Sequence, residues 1–162
     1  MSSDPATGRG IERSNASDDG VVGGTYSLIV DLPTETPIAV GALGERSFPA
    51  GGYVYTGSAL GTGGFSRVDR HRRIARGEHD VRHWHVDYLL GVPDTRIVGV
   101  VRSEGVDIEC GVAERLPNGP VEGFGASDCD CRTHLARADE VASLSRRVEA
   151  VHDAVVADAE LR

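Results

Sequence analysis

Apolar and polar positions begin to alternate at Gly24. The segment TYSLIVDL (25–32) alternates and then runs apolar, the pattern of a strand with a face on a core. PTETP reads as a loop, PIAVGALGERSFPAG (37–51) as a second strand with a glycine-bearing turn, and GYVYTGSA (52–59) as a third strand ending at glycine. GTGG follows as a flexible connection. FSRVDRHRRIARG (65–77) has helical spacing, with Phe65, Val68, Arg72 and Ala75 on one side, and stops at Gly77. Residues 81–90 fit two patterns. His83, His85 and Asp87 alternate as on a strand, whereas Val86, Leu89 and Leu90 suit a helix. TRIVGVVRS (95–103) reads as a strand, and DIECGVAERL (107–116) as a short helix with Asp107 as N-cap and Pro117 beyond its end. GPVEGFGASDCDCRTHL (119–135) is irregular. From Ala138 to Leu161, Val141, Leu144, Val148, Val151 and Val155 recur every three or four residues as a long amphipathic helix. Its stripe either packs on the domain or forms a homodimer seam through 138–161.

The order predicts a mixed α/β (α+β) fold with a small sheet. Residues 1–22, rich in Ser, Asp, Asn and Gly, form a flexible tail, 23–137 the domain and 138–162 the terminal helix. A chain of 162 residues that is 40% hydrophobic and 5% aromatic has material for one modest core. No apolar run approaches the ~18 residues of a membrane span and no signal peptide is visible, so a cytoplasmic protein with no membrane partner is expected.

Charge changes this picture. Acidic residues number 25 against 17 basic ones, every basic residue is Arg, and the formal net charge is -8. Such a lysine-free acidic surface suits a halophilic cell interior, where carboxylates hold water; a genome that favours arginine codons gives the same bias. A negative protein is a poor general polyanion binder, so a nucleic-acid site has to be local. One such locality exists. Between Arg67 and His85 six arginines (Arg67, Arg70, Arg72, Arg73, Arg76, Arg82) face three carboxylates, and four of the six histidines, including His71, His83 and His85, lie there. This is the electrostatic footprint a phosphate backbone needs, or a solvated helix face with Arg–Asp pairs. Three cysteines cannot all pair internally. Cys129-x-Cys131-x-x-His134, with Cys110, His83 or His85 as a fourth ligand, is a candidate Zn²⁺ site; small buried cysteines beside a hydrogen-bonded histidine are the plainer alternative.

Two tyrosines stand at strand positions beside glycine, as Gly24-Thr25-Tyr26 and Tyr55-Thr56-Gly57. Arg67 follows, with His71 one helical turn later on the same face. The ordered set of GTY, VYTG, RVDRH on a helix and Glu109 opening ECGVA resembles the GIY-YIG nuclease superfamily. FPAGGYVYTGSALGTGG, HWHVDYLL and FGASDCDCRTHL are similar to its stand-alone Uri branch, and the likeness covers roughly Gly24 to Leu135.

The resemblance implies a small three-stranded antiparallel sheet flanked by helices, and a metal-dependent endonuclease hydrolysing DNA phosphodiester bonds. Tyr26 and Tyr55 match the tyrosines of the two half-motifs, Arg67 the helix arginine, His71 the position one turn on, and Glu109 the metal-binding glutamate. Glu109 then holds one Mg²⁺ or Mn²⁺ with waters and phosphate, the ion acting as a Lewis acid. Glu114 and Asp87 compete with it for that role. Arg67 presents a planar fork to the phosphate oxygens. Tyr55 or His71 takes a proton from water, with Tyr26 orienting Tyr55; a phenol of pKa ~10 needs a nearby cation for this. Arg70, Arg72, Arg73, Arg76, His83 and His85 contact DNA. The sequence departs from the pattern in placing Thr where both half-motifs have Ile, and in lacking a clear match for a late asparagine, with Ser127 or Asp128 nearest. A non-catalytic nucleic-acid-binding or DNA-repair accessory module and a zinc-bearing interaction domain are the alternative functions.

Overall fold

The computed structural model describes residues 12–13, 23–61, 63–79, 82, 84–125 and 132–160. Its centre is the strand β2 (Gly24–Leu32), antiparallel on one side to β5 (Gly51–Ser58) and on the other to β6 (Arg96–Glu104). Two short strands widen this trio: β7 (Leu135–Ala138) lies antiparallel beyond β5, and β1 (Glu12–Arg13) parallel beyond β6. The order is β1-β6-β2-β5-β7. A separate hairpin, β3 (Thr36–Ala39) and β4 (Glu45–Phe48), closes through a 3₁₀ turn at Gly41–Leu43. The mixed α+β class and the three central antiparallel strands are as expected, and the sheet is wider by two short strands.

Alternation along the strands sorts the side chains onto two faces. Tyr26, Leu28 and Val30 of β2, Tyr53 and Tyr55 of β5 and Val100 of β6 face a core completed by Val68 and Ile74 of α1 (Ser66–Ala75) and by Val86, Leu89 and Leu90 of α2 (His85–Leu90). Ile29, Val54 and Val101 face the other way, under α3 (Glu109–Glu114) and α4 (Val141–Glu160), which contribute Val112, Leu144, Val148 and Val155. The apolar stripe of α4 is thus spent on the sheet.

This second face carries a polar centre. His152 of α4 is fully buried; its Nε2 meets Ser27 Oγ and its Nδ1 meets Ser103 Oγ, both at 2.8 Å, while Ser27 Oγ also bonds Thr56 Oγ1 at 2.8 Å. The three central strands each give one hydroxyl, and both ring nitrogens are satisfied, as a buried imidazole requires.

Several boundaries differ from the sequence pattern. LARA forms an edge strand, so α4 begins at Val141 rather than Ala138. The segment 37–51 is the β3–β4 hairpin rather than a strand of the main sheet. Residues 85–90 are helical, because Val86, Leu89 and Leu90 all go into the core. On α1 the buried stripe is Val68, His71 and Ile74, with Arg72 turned partly outward, and Ile108 rather than Asp107 precedes α3. The Ile108 N–H is donated to Thr25 Oγ1 at 2.9 Å, which ties the start of α3 to β2. Among the described residues, no helix is long and apolar enough to cross a membrane.

Candidate active site

Tyr26 and Tyr55 project from neighbouring strands. Tyr26 pairs with Gly57 and Leu28 with Tyr55, so the tyrosines are diagonal neighbours on one face, with ring centres 6.2 Å apart. Gly57 is what allows this. A Cβ there would sit 2.8 Å from Tyr26 Oη and 2.9 Å from Tyr55 Cε2, so the glycine of Tyr-x-Gly leaves room for the two rings to close over it.

Helix α1 lays His71 against this pair. Its Nε2 is 2.8 Å from Tyr26 Oη, and its ring centre is 6.2 Å from that of Tyr55. The other nitrogen, Nδ1, faces Asp87 Oδ1 at 3.7 Å. Asp87 and His71 are both fully buried. The Asp87 carboxylate accepts from Arg70 Nη1 and Nη2 at 3.3 and 3.1 Å, and from the backbone N–H of Trp84 at 3.0 Å. A carboxylate only accepts, so the hydrogen of neutral His71 is assigned to Nδ1, leaving Nε2 to accept the Tyr26 hydroxyl proton. Burial lowers the pKa of His71 below its ordinary value despite Asp87, which agrees with a neutral ring. Asp87, the fully enclosed anion of the site, orients rather than offers itself to a metal.

Arg67 closes the opposite side. Its Nη1 donates to the Ser58 carbonyl at 2.5 Å, and its guanidinium lies 4.7 Å from the centre of the Trp84 ring. Burial raises the pKa of both Tyr26 and Tyr55. At Tyr26 the next cause is Tyr55; at Tyr55 it is Glu109. The Arg67 charge pulls both phenols down but does not prevail. Glu109 opens α3 as expected, with about a quarter of its side chain in solvent. Its Oε2 lies 3.4 Å from His134 Nδ1, and His134 Nε2 is 3.8 Å from Cys110 Sγ. Tyr26, Tyr55, Arg67, His71 and Glu109 therefore occupy one neighbourhood.

The flanking residues divide. Arg70 and Arg73 join Arg67 and Trp84 around an open cleft, while Arg72 and Arg76 lie along a separate depression with Thr95 and Arg96. Arg76 is paired with Glu78 at 3.1 Å. His85 is committed inside the fold: its Nδ1 accepts the Gly125 N–H at 2.8 Å and its ring packs on Phe124, so it ties a loop to α2. His83, Cys129 and Cys131 lie outside the described residues. Glu109 and Cys110 address opposite nitrogens of His134, so these three do not converge on one ion. Among the described residues no group of three or more His, Cys, Asp or Glu is placed to hold a metal.

The profile of a family described as a domain of unknown function, DUF123, matches residues 25–157. The chain belongs to the DUF123 family. The match takes in every side chain of the site just described and most of α4. No curated protein and no solved structure matches the chain. Two parts of the DUF123 site were hidden in its sequence. Trp84 carried no signal beyond an aromatic in a histidine-rich stretch. Asp87, in the first turn of α2, owes its organising role to Arg70 and His71 on another helix.

Proposed function

We propose that this DUF123 domain is a metal-dependent DNA endonuclease of the GIY-YIG type, in the Uri branch. The observation that carries the reading is the meeting of Tyr26, Tyr55 and His71, with the Arg67 and Glu109 charges near enough to act on Tyr55 in opposite directions. Packing alone does not call for two phenols and an imidazole in one buried cluster with a guanidinium at its edge, since each buried polar group costs free energy unless it is partnered.

In this reading Tyr55 takes the proton of the attacking water. Arg67 lowers its pKa and contacts the scissile phosphate, and Tyr26 holds Tyr55 in place. Tyr26 is itself fixed by the Asp87–His71 pair, so its hydroxyl proton points away from Tyr55 and its oxygen is free to accept. Glu109 fits a magnesium or manganese ion, which needs one carboxylate, waters and a substrate phosphate rather than a cage of side chains. Such an ion would supply Lewis-acid activation of the phosphate and would offset the Glu109 charge that disfavours the Tyr55 phenolate. Zinc finds no such support at His134.

One observation favours a second reading, a nucleic-acid-binding accessory module without turnover: Tyr26 and Tyr55 are only 1% and 7% exposed. Labelled duplex, single-stranded and branched DNA, incubated with Mg²⁺ or Mn²⁺ from low salt to molar KCl, separates the two. Cleavage by the wild type that disappears in Glu109→Gln and Arg67→Ala supports the nuclease. Binding without cleavage in any condition supports the accessory module.

A further inference from the structure

Trp84 is the sole tryptophan of the chain and, at 36% exposed, one of three large apolar side chains at the surface of the described residues. Its indole is not placed at random. The guanidinium groups of Arg67 and Arg70 lie over the ring at 4.7 and 4.6 Å from its centre. Both are anchored elsewhere, Arg67 on the Ser58 carbonyl and Arg70 on Asp87. The ring is therefore held at the rim of the cleft that Arg67, Arg70, Arg73 and Ser66 line, with Asp69 as the opposing charge there. Another exposed apolar side chain, Leu60 at 48%, lies in the segment between β5 and α1 that also gives the cleft Gly64.

We infer that Trp84 is a stacking platform for an unpaired base, and that the DNA this site takes is single-stranded or carries a single-stranded segment. The inference rests on the cleft being a DNA site. An indole stacks on any nucleobase whose face is free, and in an intact duplex those faces are already stacked on neighbours. A site for duplex alone needs donors to phosphate and base edges, not a partly exposed indole at its rim. The charge balance points the same way. A protein with net charge -8 gains little from long-range attraction to a polyanion. Stacking does not depend on that attraction, so it can supply affinity that phosphate contacts cannot.

The sole tryptophan makes the test direct. The full-length protein in EDTA, where nothing is cut, is titrated with a short oligothymidylate and with a blunt duplex of equal length, following tryptophan fluorescence and DNA anisotropy. The expected result is quenching by the single strand at lower concentration than by the duplex, and a ten- to hundredfold loss of single-strand affinity in Trp84→Ala. Trp84→Phe retains most of that affinity. If Trp84→Ala does not fold, Trp84→Leu against Trp84→Phe makes the same comparison at similar apolar volume. Single-strand binding that leaves fluorescence unchanged, or that is equal in Trp84→Leu and Trp84→Phe, overturns the inference. So does tighter binding of the duplex. Cleavage of duplex with Trp84 silent overturns it and leaves the nuclease standing; quenching without cleavage under any metal does the reverse. Absence of all DNA binding overturns both.

Discussion

Gly57→Ala adds one methyl group where the two tyrosines meet. Its Cβ would stand 2.8 Å from Tyr26 Oη and 2.9 Å from Tyr55 Cε2, so both rings have to retreat by more than about half an ångström to reach ordinary van der Waals separation. Overpacking of this kind costs about 1–3 kcal/mol. The backbone there is ordinary strand, so alanine also recovers about 0.5–1 kcal/mol of the entropy that glycine loses on folding. The net loss is therefore about 0–2.5 kcal/mol, a Tm lower by up to roughly 10 °C in a domain of this size. On the proposed nuclease reading, the effect on cleavage is larger. Moving Tyr26 Oη by about half an ångström disturbs its 2.8 Å hydrogen bond to His71, and since misplacement by an ångström costs about a hundredfold in rate, a shift of this size is expected to cost about tenfold or more. Thermal melts followed by circular dichroism, together with cleavage of labelled DNA at saturating metal, separate the two effects. The expected signature is a small loss of stability with a ten- to hundredfold loss of rate. Adding Tyr26→Phe, which removes the closest clashing atom, should recover part of the stability and none of the rate. A variant that melts and cuts like the wild type would refute the view that the glycine sets the tyrosine geometry.

Asp87→Asn removes the charge that holds Arg70, in a pair whose arginine is only 15% exposed. Breaking a buried pair costs about 3–5 kcal/mol, and the partial exposure brings the expected loss in urea melts to about 2–3 kcal/mol; an unchanged midpoint would show that Asp87 organises nothing. His71 has a lowered pKa through burial, so the unfolded chain binds a proton that the folded chain does not. Stability is then whole above about pH 6.5 and falls as the pH drops below it; His71→Gln should flatten that slope, and an unflattened slope would assign it to other groups such as His85, lowered by burial as well. His152→Ala strands the Ser103 hydroxyl in the core, leaves Ser27 with Thr56 alone and opens a void, for an expected loss of about 2–4 kcal/mol and faster amide exchange along α4. Wild-type exchange rates in that variant would mean that the apolar stripe alone holds the helix.

The central strands were legible because β-branched and aromatic residues alternate there with small polar ones, and α4 because valine and leucine recur at helical spacing over twenty residues. Tyr26, Tyr55, Arg67 and Glu109 were singled out by the resemblance of GTY, VYTG, RVDRH and ECGVA to the GIY-YIG pattern, and the fold brings them into one neighbourhood. LARA carried no strand signal, Leu135 closing an irregular stretch and Ala138 reading as the start of the helix; it is a strand because β5 offers a free edge. Asp87 was ambiguous for another reason. Its importance lies in what Arg70 and His71 do on a different helix, and no spacing within residues 81–90 carries that. The bond between Ser27 and His152, 125 residues apart, is hidden in the same way.

Tyr26 and Ser27 are consecutive on one strand, as are Tyr55 and Thr56 on its neighbour. One member of each pair builds the site and the other meets the polar centre around His152. Slipping either strand by a single residue would turn phenols toward α4 and hydroxyls toward α1, ruining both faces at once. Assembly of the site is thereby locked to assembly of the core. A population of these molecules should contain competent ones and unfolded ones, with no folded but misassembled class between them, and lost activity on heating should track lost structure one for one.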